Sequence, residues 1–329
     1  MIFFIFYRLL AFVPMLLLIS IITFVIMQLP PGSFVENRIA ELANIGGDSS
    51  SVAQIDQIKA RYGLDRPIWV QYTLWIEGIL LHGDFGEAFA YNKPVSKVIW
   101  SYMGYTLLIS SLSFFLVYLI AVPLGVYSAV HRYDWQGHMI SAMSFIGMSL
   151  PGFLLALCLL VFGIFYLDHA FIGIVSPEYQ FKPWDAEKVW DLLKHLPLPA
   201  FIVAVNGSAG LIRIMRGNLI DVLGQQYIRT ATAKGLPRRS VVVKHAFRMA
   251  INPLISIIGM SLPSLFSGSA IVSIVLNLPT AEFLLYESLK TQDMYLAGAL
   301  ILMLSLLLLI GNLLADVALA LADPRIRYE

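Results

Sequence analysis

The chain has 329 residues, 58% of them hydrophobic and 13% charged, with mean hydropathy +0.77 and a formal net charge of +1. A soluble domain of this size needs a larger polar share to cover its surface, so composition excludes an ordinary water-soluble protein. The single cysteine, Cys158, lies inside an apolar run, which excludes a disulfide framework and a thiolate metal cluster, and the six histidines show no metal-ligand spacing.

Six apolar runs approach or exceed the ~20 residues a helix needs to cross a bilayer. They predict spans over 9–29, 103–130, 139–167, 198–222, 250–276 and 295–320. The first is too long for a secretory signal core. Gln28-Leu29-Pro30-Pro31-Gly32 is also not a small-residue cleavage site, so the run reads as a retained span. The segment 31–102 then forms a long loop of mixed charge. It has a glycine- and serine-rich tip at Gly46-Gly47-Asp48-Ser49-Ser50-Ser51, an amphipathic stretch from Ile55 to Tyr62, and the rings of Trp69, Tyr72 and Trp75. Such rings suit a membrane interface or a partner surface. Residues 168–197 form a second loop on the same side.

The fourth span is the most dilute. Pro199, Asn206, Gly207 and Ser208 interrupt it, and Arg213 and Arg216 fall near its end. Arginine at a span centre costs about 2.5–3.5 kcal/mol on insertion scales, so these two belong near the cytoplasmic interface or against protein. With both termini inside, the inner segments carry 12 basic residues against 5 acidic, and the outer segments 10 against 16. That asymmetry is what the positive-inside rule predicts.

The run from 225 to 252 carries six basic residues and no acid, and it is too polar to span. Gln225 to Lys234 has helix formers, Gly235 sits where a helix is terminated, and Pro237 suits the first turn of the next helix. The spacing predicts a short helix, a tight turn and a second helix leading into span five. A rigid helical plug of this kind fits a groove in a soluble partner. The bland alternative, a basic loop obeying the inside rule, does not explain the ordered Ala-x-x-x-Gly-x-Pro spacing.

Here the sequence resembles a known family. Arg229-Thr230-Ala231-x-x-x-Gly235, followed by His245-Ala246-x-Arg248 and Pro253, is similar to the EAA loop of binding-protein-dependent ABC importer permeases, and more closely to the dipeptide/oligopeptide subfamily. Leu29-Pro30-Pro31-Gly32, Tyr62-Gly63-Leu64-Asp65-Arg66-Pro67, Gly83-Asp84-Phe85-Gly86, Pro123-Leu124-Gly125, Ser149-Leu150-Pro151 and Asp323-Pro324-Arg325-Ile326-Arg327-Tyr328 resemble the "first" permease of that subfamily, in order along nearly the whole chain. The chain departs from the pattern at Gln226, Arg229 and Ser273, and at Thr280 and Glu282, which replace the two glycines of a Pro-Gly-x-Gly turn.

The resemblance implies an all-α polytopic fold, six spans with a type I importer core, N-in and C-in, in the bacterial inner membrane. It divides the chain into a first helix (1–30), an outer loop (31–102), a five-helix core (103–322) with a coupling loop at 224–249, and a tail (323–329). Tyr227, Arg229, Thr230, Ala231, Thr232, Ala233, Lys234, Gly235, Leu236 and Arg238 would then form the coupling surface for an ATPase. The expected partners are a second homologous permease, two cytoplasmic P-loop ATPases, a periplasmic solute-binding protein and the lipid bilayer, with no nucleic acid. The chain itself has no Gly-Lys dipeptide and hence no P-loop, so ATP belongs to the partners and the permease is non-catalytic, without a cofactor or metal of its own.

An ion-coupled secondary transporter is the alternative. Such machines keep ionisable groups near mid-membrane, and here Asp316, near one end of span six, is the exception. An uncoupled channel would leave the plug unexplained, and no histidine shares a span interior with a nucleophile. Pro151, Ser261, Ser264, Ser267 and Gly268 are candidate path residues; the small face of span five serves either a path or tight helix packing. The substrate stays open among oligopeptides, oligosaccharides, opine-like conjugates and metal chelates.

Overall fold

Backbone groups withdrawn from water must pair within their own segment, so the apolar runs fold as helices. The structure, a computed structural model, describes residues 2–29, 57, 59–60, 62–166, 171–261 and 270–322. The first helices are α1 (Ile2–Gln28), α2 (Ile68–His82), α3 (Val95–Val130), α4 (Trp135–Ser149), α5 (Gly152–Tyr166) and α6 (Ala186–His195). They are followed by α7 (Pro197–Leu223), α8 (Gln226–Ala233), α9 (Arg238–Ala250), α10 (Asn252–Ser261), α11 (Ala270–Val275), α12 (Ala281–Lys290) and α13 (Met294–Ala322). Strands β1 (Glu87–Ala88) and β2 (Lys93–Pro94) make a small antiparallel hairpin before α3, with Glu87 opposite Pro94.

Among the described residues, four helical stretches are long and apolar enough to cross a membrane: Phe6–Gln28, Val95–Val130, Ala186–Leu223 and Met294–Val317. Two bent pairs, Trp135–Ser149 with Gly152–Tyr166 and Arg238–Ala250 with Asn252–Ile258, raise the number to six if each is one span. The expected span over 139–167 is two helices meeting at 100°. The glycine- and serine-rich tip at 46–51 and most of the amphipathic stretch 55–62 lie outside the described residues.

The chain divides into two compact units, one formed by 1–106 with 279–310, the other by 107–278 with 311–329. In the first unit the loop aromatics separate into two roles. Trp69 is exposed, whereas Tyr72 and Trp75 pack on Phe24 of α1, with ring centroids 5.5 and 5.6 Å away. The Tyr72 and Ser20 hydroxyls share a 2.8 Å hydrogen bond. Tyr62 lies 4.2 Å from the Tyr295 ring, and its hydroxyl accepts from the Glu87 N–H at 3.1 Å. Asp293 is fully buried; its carboxylate accepts from the Ala90 N–H at 3.2 Å and the Leu296 N–H at 3.4 Å. One side chain thus caps α13 and tethers the hairpin.

Thr280 caps α12, accepting from the Phe283 N–H at 3.4 Å. Two residues on, Glu282 is 8% exposed and its Oε1 has no hydrogen-bond partner. Burial pushes this carboxyl above its ordinary 4.5, against the lowering effect of its own backbone N–H and of Thr280.

The second unit is built on α7, which packs along α4, α5 and the α9–α10 segment. Leu150 takes an extended conformation, φ −84° and ψ 119°, because the following Pro151 disfavours the helical region and has no N–H to donate. The backbone groups released at this break are taken up by one residue of α7. With its amide so oriented, Asn206 donates to the carbonyls of Gly147 (3.1 Å) and Leu150 (3.0 Å) and accepts from the Gly152 N–H (3.1 Å). The residue that dilutes span four is what closes the break in span three.

Two outcomes follow. Replacing Asn206 by Leu removes all three bonds and should destabilise the detergent-solubilised chain by about 1–3 kcal/mol, read as a lowered Tm; an unchanged Tm means that the clasp does not hold the joint. A group with a raised folded pKa stabilises fully below its unfolded value and loses that contribution as pH rises through the folded one. Glu282→Gln should therefore be more stable than the native chain at pH 7, by about 1.4 kcal/mol for each pH unit that separates the folded pKa from 4.5, with the gap closing as pH falls toward 4.5. A pH-independent gap would show that burial does not raise the Glu282 carboxyl.

Candidate functional site

The expected helix–turn–helix is present in the second unit. Gln225 opens α8 in extended conformation (φ −72°, ψ 151°), and the helix runs for two turns to Ala233. The Thr230 and Thr232 hydroxyls donate back to the carbonyls of Gln226 (3.1 Å) and Ile228 (3.0 Å), so neither competes with the helix for its own N–H. The helix stops at Gly235, whose φ of +76° is left-handed and whose N–H bonds the Thr232 carbonyl at 3.0 Å. A side chain there would meet open space, so conformation alone selects glycine.

Pro237 stands one position earlier than the spacing predicts. It is the N-cap of α9 rather than part of its first turn, because its extended ψ of 138° lets its carbonyl receive the Ser240 and Val241 N–H groups at 2.8 and 3.1 Å. Within α9, residues Val241–Ala246 form a π-helical segment, and a 45° bend separates α9 from α10.

The loop has two unlike sides. Ile228 (4% exposed) and Ala231 (9%) point inward to a core with Ala129, Met215, Leu219, Val241, Ala246, Ala250 and Leu254. Tyr227, Arg229, Thr230, Thr232, Ala233, Lys234, Gly235 and Leu236 are exposed. Arg238 is engaged within the chain, its Nη2 donating to the Val130 carbonyl at 3.1 Å, where it closes the C-terminus of α3. Of the ten expected coupling residues, Ala231 and Arg238 thus hold the base and the other eight form its outer surface. Sequence spacing groups these residues but does not give the helix's orientation, since eight residues are too few for a periodic signal.

The expected path residues are more scattered. Pro151 sits at the 100° bend, and Ser261 faces the buried Tyr118 hydroxyl without full hydrogen-bond geometry. Ser264, Ser267 and Gly268 lie outside the described residues. Arg213 is exposed; its guanidinium stands 4.7 Å above the Phe145 ring, and its Nη1 reaches the Met148 sulfur at 3.5 Å.

One cluster escaped the sequence reading. Asp191 on α6 accepts from the Ser176 N–H (2.6 Å) and hydroxyl (2.8 Å), and the His195 Nδ1 lies 3.6 Å from its carboxylate. The grouping is not a nucleophile–base arrangement, because the one Ser176 proton is committed to the carboxylate rather than to the imidazole. It latches the preceding loop onto α6. Among the described residues, no group of three or more His, Cys, Asp or Glu could hold a metal ion.

A family model described as "Binding-protein-dependent transport system inner membrane component" matches residues 121–328, and its N-terminal counterpart matches residues 1–108. The oligopeptide transport system permease protein AppB of Bacillus subtilis is 34% identical over 325 residues, 98% of each chain. The dipeptide transport system permease protein DppB of Alkalihalophilus pseudofirmus is 29% identical over 337 aligned residues, again covering 98% of each. A solved structure of the MetNI methionine ABC transporter in inward-facing conformations matches with a TM-score of 0.48 and 16% identity, over 68% of this chain and 97% of that one.

The two sides of α8 are separable by substitution. Ala231→Asp places a carboxylate in the supporting core and should cost more than about 2 kcal/mol in thermal unfolding. Ala233→Asp, on the exposed side, should stay within about 0.5 kcal/mol of the native chain. Equal losses at both positions would show that α8 does not sit with Ala231 inward.

Proposed function

The chain belongs to the family of binding-protein-dependent transport system inner membrane components, and from that premise we propose that it is a permease subunit of an ATP-driven importer, coupled to cytoplasmic ATPases through the loop 224–249. The observation that carries the coupling role is the two-sided α8: a short helix fixed to a packed base by Ile228 and Ala231, ending in a left-handed glycine, with residues 232–239 all exposed. A plug for a partner's groove needs such a rigid root and a bare tip. Its basic charge, unrelieved by any acid over 225–252, complements an acidic rim.

In this reading the chain crosses the inner membrane of a bacterium six times, N-in and C-in, with a type I importer core and the long loop 31–102 outside. The charge bias of the loops supports that orientation, which puts α8 in the cytoplasm. A second homologous permease completes the path, two P-loop ATPases attach inside, and a solute-binding protein delivers cargo outside. Closure of the ATPases on nucleotide pulls on α8, and α9 passes the movement into the membrane. The chain itself is non-catalytic. Its cargo is a small oligomeric solute, an oligopeptide on the strength of the relatives' names.

The test uses the native complex. Gly235→Trp or Leu236→Asp should leave membrane insertion intact and abolish co-purification of the ATPase subunits in mild detergent. Normal ATPase recovery and transport by both variants would refute the coupling role. A chain that purifies alone and moves solute without ATP would replace the importer by a secondary transporter.

A further inference from the structure

The turn joining α3 to α4 is built more rigidly than a connector requires. Its sequence, His131-Arg132-Tyr133-Asp134-Trp135-Gln136-Gly137-His138, alternates polar and aromatic residues. A side chain at Gly137 would lie 2.1 Å from the His131 carbonyl oxygen, so only glycine lets the two ends of the turn close. The buried Ser128 hydroxyl donates to the Gly137 carbonyl at 3.0 Å, and Ser141 donates to the same oxygen at 2.9 Å. The Tyr127 and His131 rings stack at 4.2 Å, the Tyr127 hydroxyl donates to Gln136, and the Asp134 N–H bonds the His131 carbonyl at 3.0 Å.

This frame holds two large rings outward. Tyr133 is 81% exposed and Trp135 is 68% exposed, with the Arg132 guanidinium 4.7 Å over the Tyr133 ring. Fixed, exposed aromatics beside arginine are the residue types that dominate protein interfaces. The turn is also tied to the coupling loop: Val130, immediately before it, accepts the Arg238 guanidinium, and Arg238 follows Leu236-Pro237 directly. Both turns rest on one core, since Ala129 packs with Ile228 and Ala231.

We propose that the α3–α4 turn is a second docking surface for the cytoplasmic ATPase, with Tyr133 and Trp135 as its anchors, continuous with the coupling turn. The inference rests on the coupling role proposed above and extends it to residues outside the loop 224–249. An ATPase that receives Leu236 meets the α3–α4 turn on the same footing, because the two share a base. The charged and polar neighbours of the rings exclude the hydrocarbon interior. A place among lipid headgroups is the competing occupant, and the test separates the two.

Tyr133→Cys and Leu236→Cys are each made in a Cys158→Ser background. Labelling by a membrane-impermeant maleimide is then timed in the permease alone and in the complex with the ATPases that co-purify with it. The expected result is fast labelling of both sites in the permease and at least tenfold slower labelling of both in the complex. Tyr133→Cys that labels equally fast in both states, or is unlabelled even without ATPase as in a lipid-embedded turn, overturns the proposal. Protection at Leu236→Cys alone would refute this second surface and leave the coupling loop standing. Protection at neither site would remove both.

Discussion

A helix end leaves backbone N–H and C=O groups without an intrahelical partner, and at three interruptions among the described residues a side chain meets that constraint. At the α4–α5 break the partner is Asn206, which reaches over from α7 to two carbonyls and one N–H. At the end of α3 it is Arg238, 108 residues further along the chain. At the start of α13 it is Asp293, which also receives the hairpin N–H of Ala90 from 203 residues away. At the first two the relieving group comes from another segment, and at the third the helix's own cap reaches the hairpin, so each interruption is also a cross-link. The breaks join elements of the fold to one another.

The proposed coupling loop follows the same logic. A helix of two turns is not stable alone in water, because nucleation is costly and two turns yield few hydrogen bonds. α8 persists because Ile228 and Ala231 are seated in a core shared with α7, α9 and α10. Those contacts leave the opposite side bare, and Gly235 ends the helix without using any packing. The rigid root and the free tip are two consequences of one buried pair. From that root, α9 leads through its π-helical segment and a 45° bend into α10. Displacement at the turn therefore has a continuous helical route toward the apolar segments.

Much of this was legible in the residues. Apolar run length located the helices, and the Ala-x-x-x-Gly-x-Pro spacing located the turn, because both signals are local and each residue type has its own backbone reason. What was not legible depended on side-chain direction or on distant pairing. Asn206 read as a polar flaw in a span, since its three partners lie more than fifty residues earlier. Tyr72 and Trp75 read as interface rings, yet they pack on Phe24, and composition cannot distinguish a ring facing lipid from one facing a helix. The 100° bend at Pro151 was not legible, because a hydropathy window sums across a bend as readily as across a straight helix.

The shared base of the two exposed turns bears on how force would pass through such a joint. A single helix seated in a groove behaves as a ball in a socket: it transmits a pull but leaves rotation about its own axis free. Alternating access requires a directed rocking of one bundle against another, and that free rotation would dissipate the direction. A second contact, displaced from the first and mounted on the same rigid core, removes it. The Arg238 bond to Val130 and the packing of Ala129 beneath Ile228 and Ala231 keep the two turns at a fixed separation. In the proposed docking arrangement the pair defines an axis as well as a point, with Tyr133 and Trp135 as the second contact.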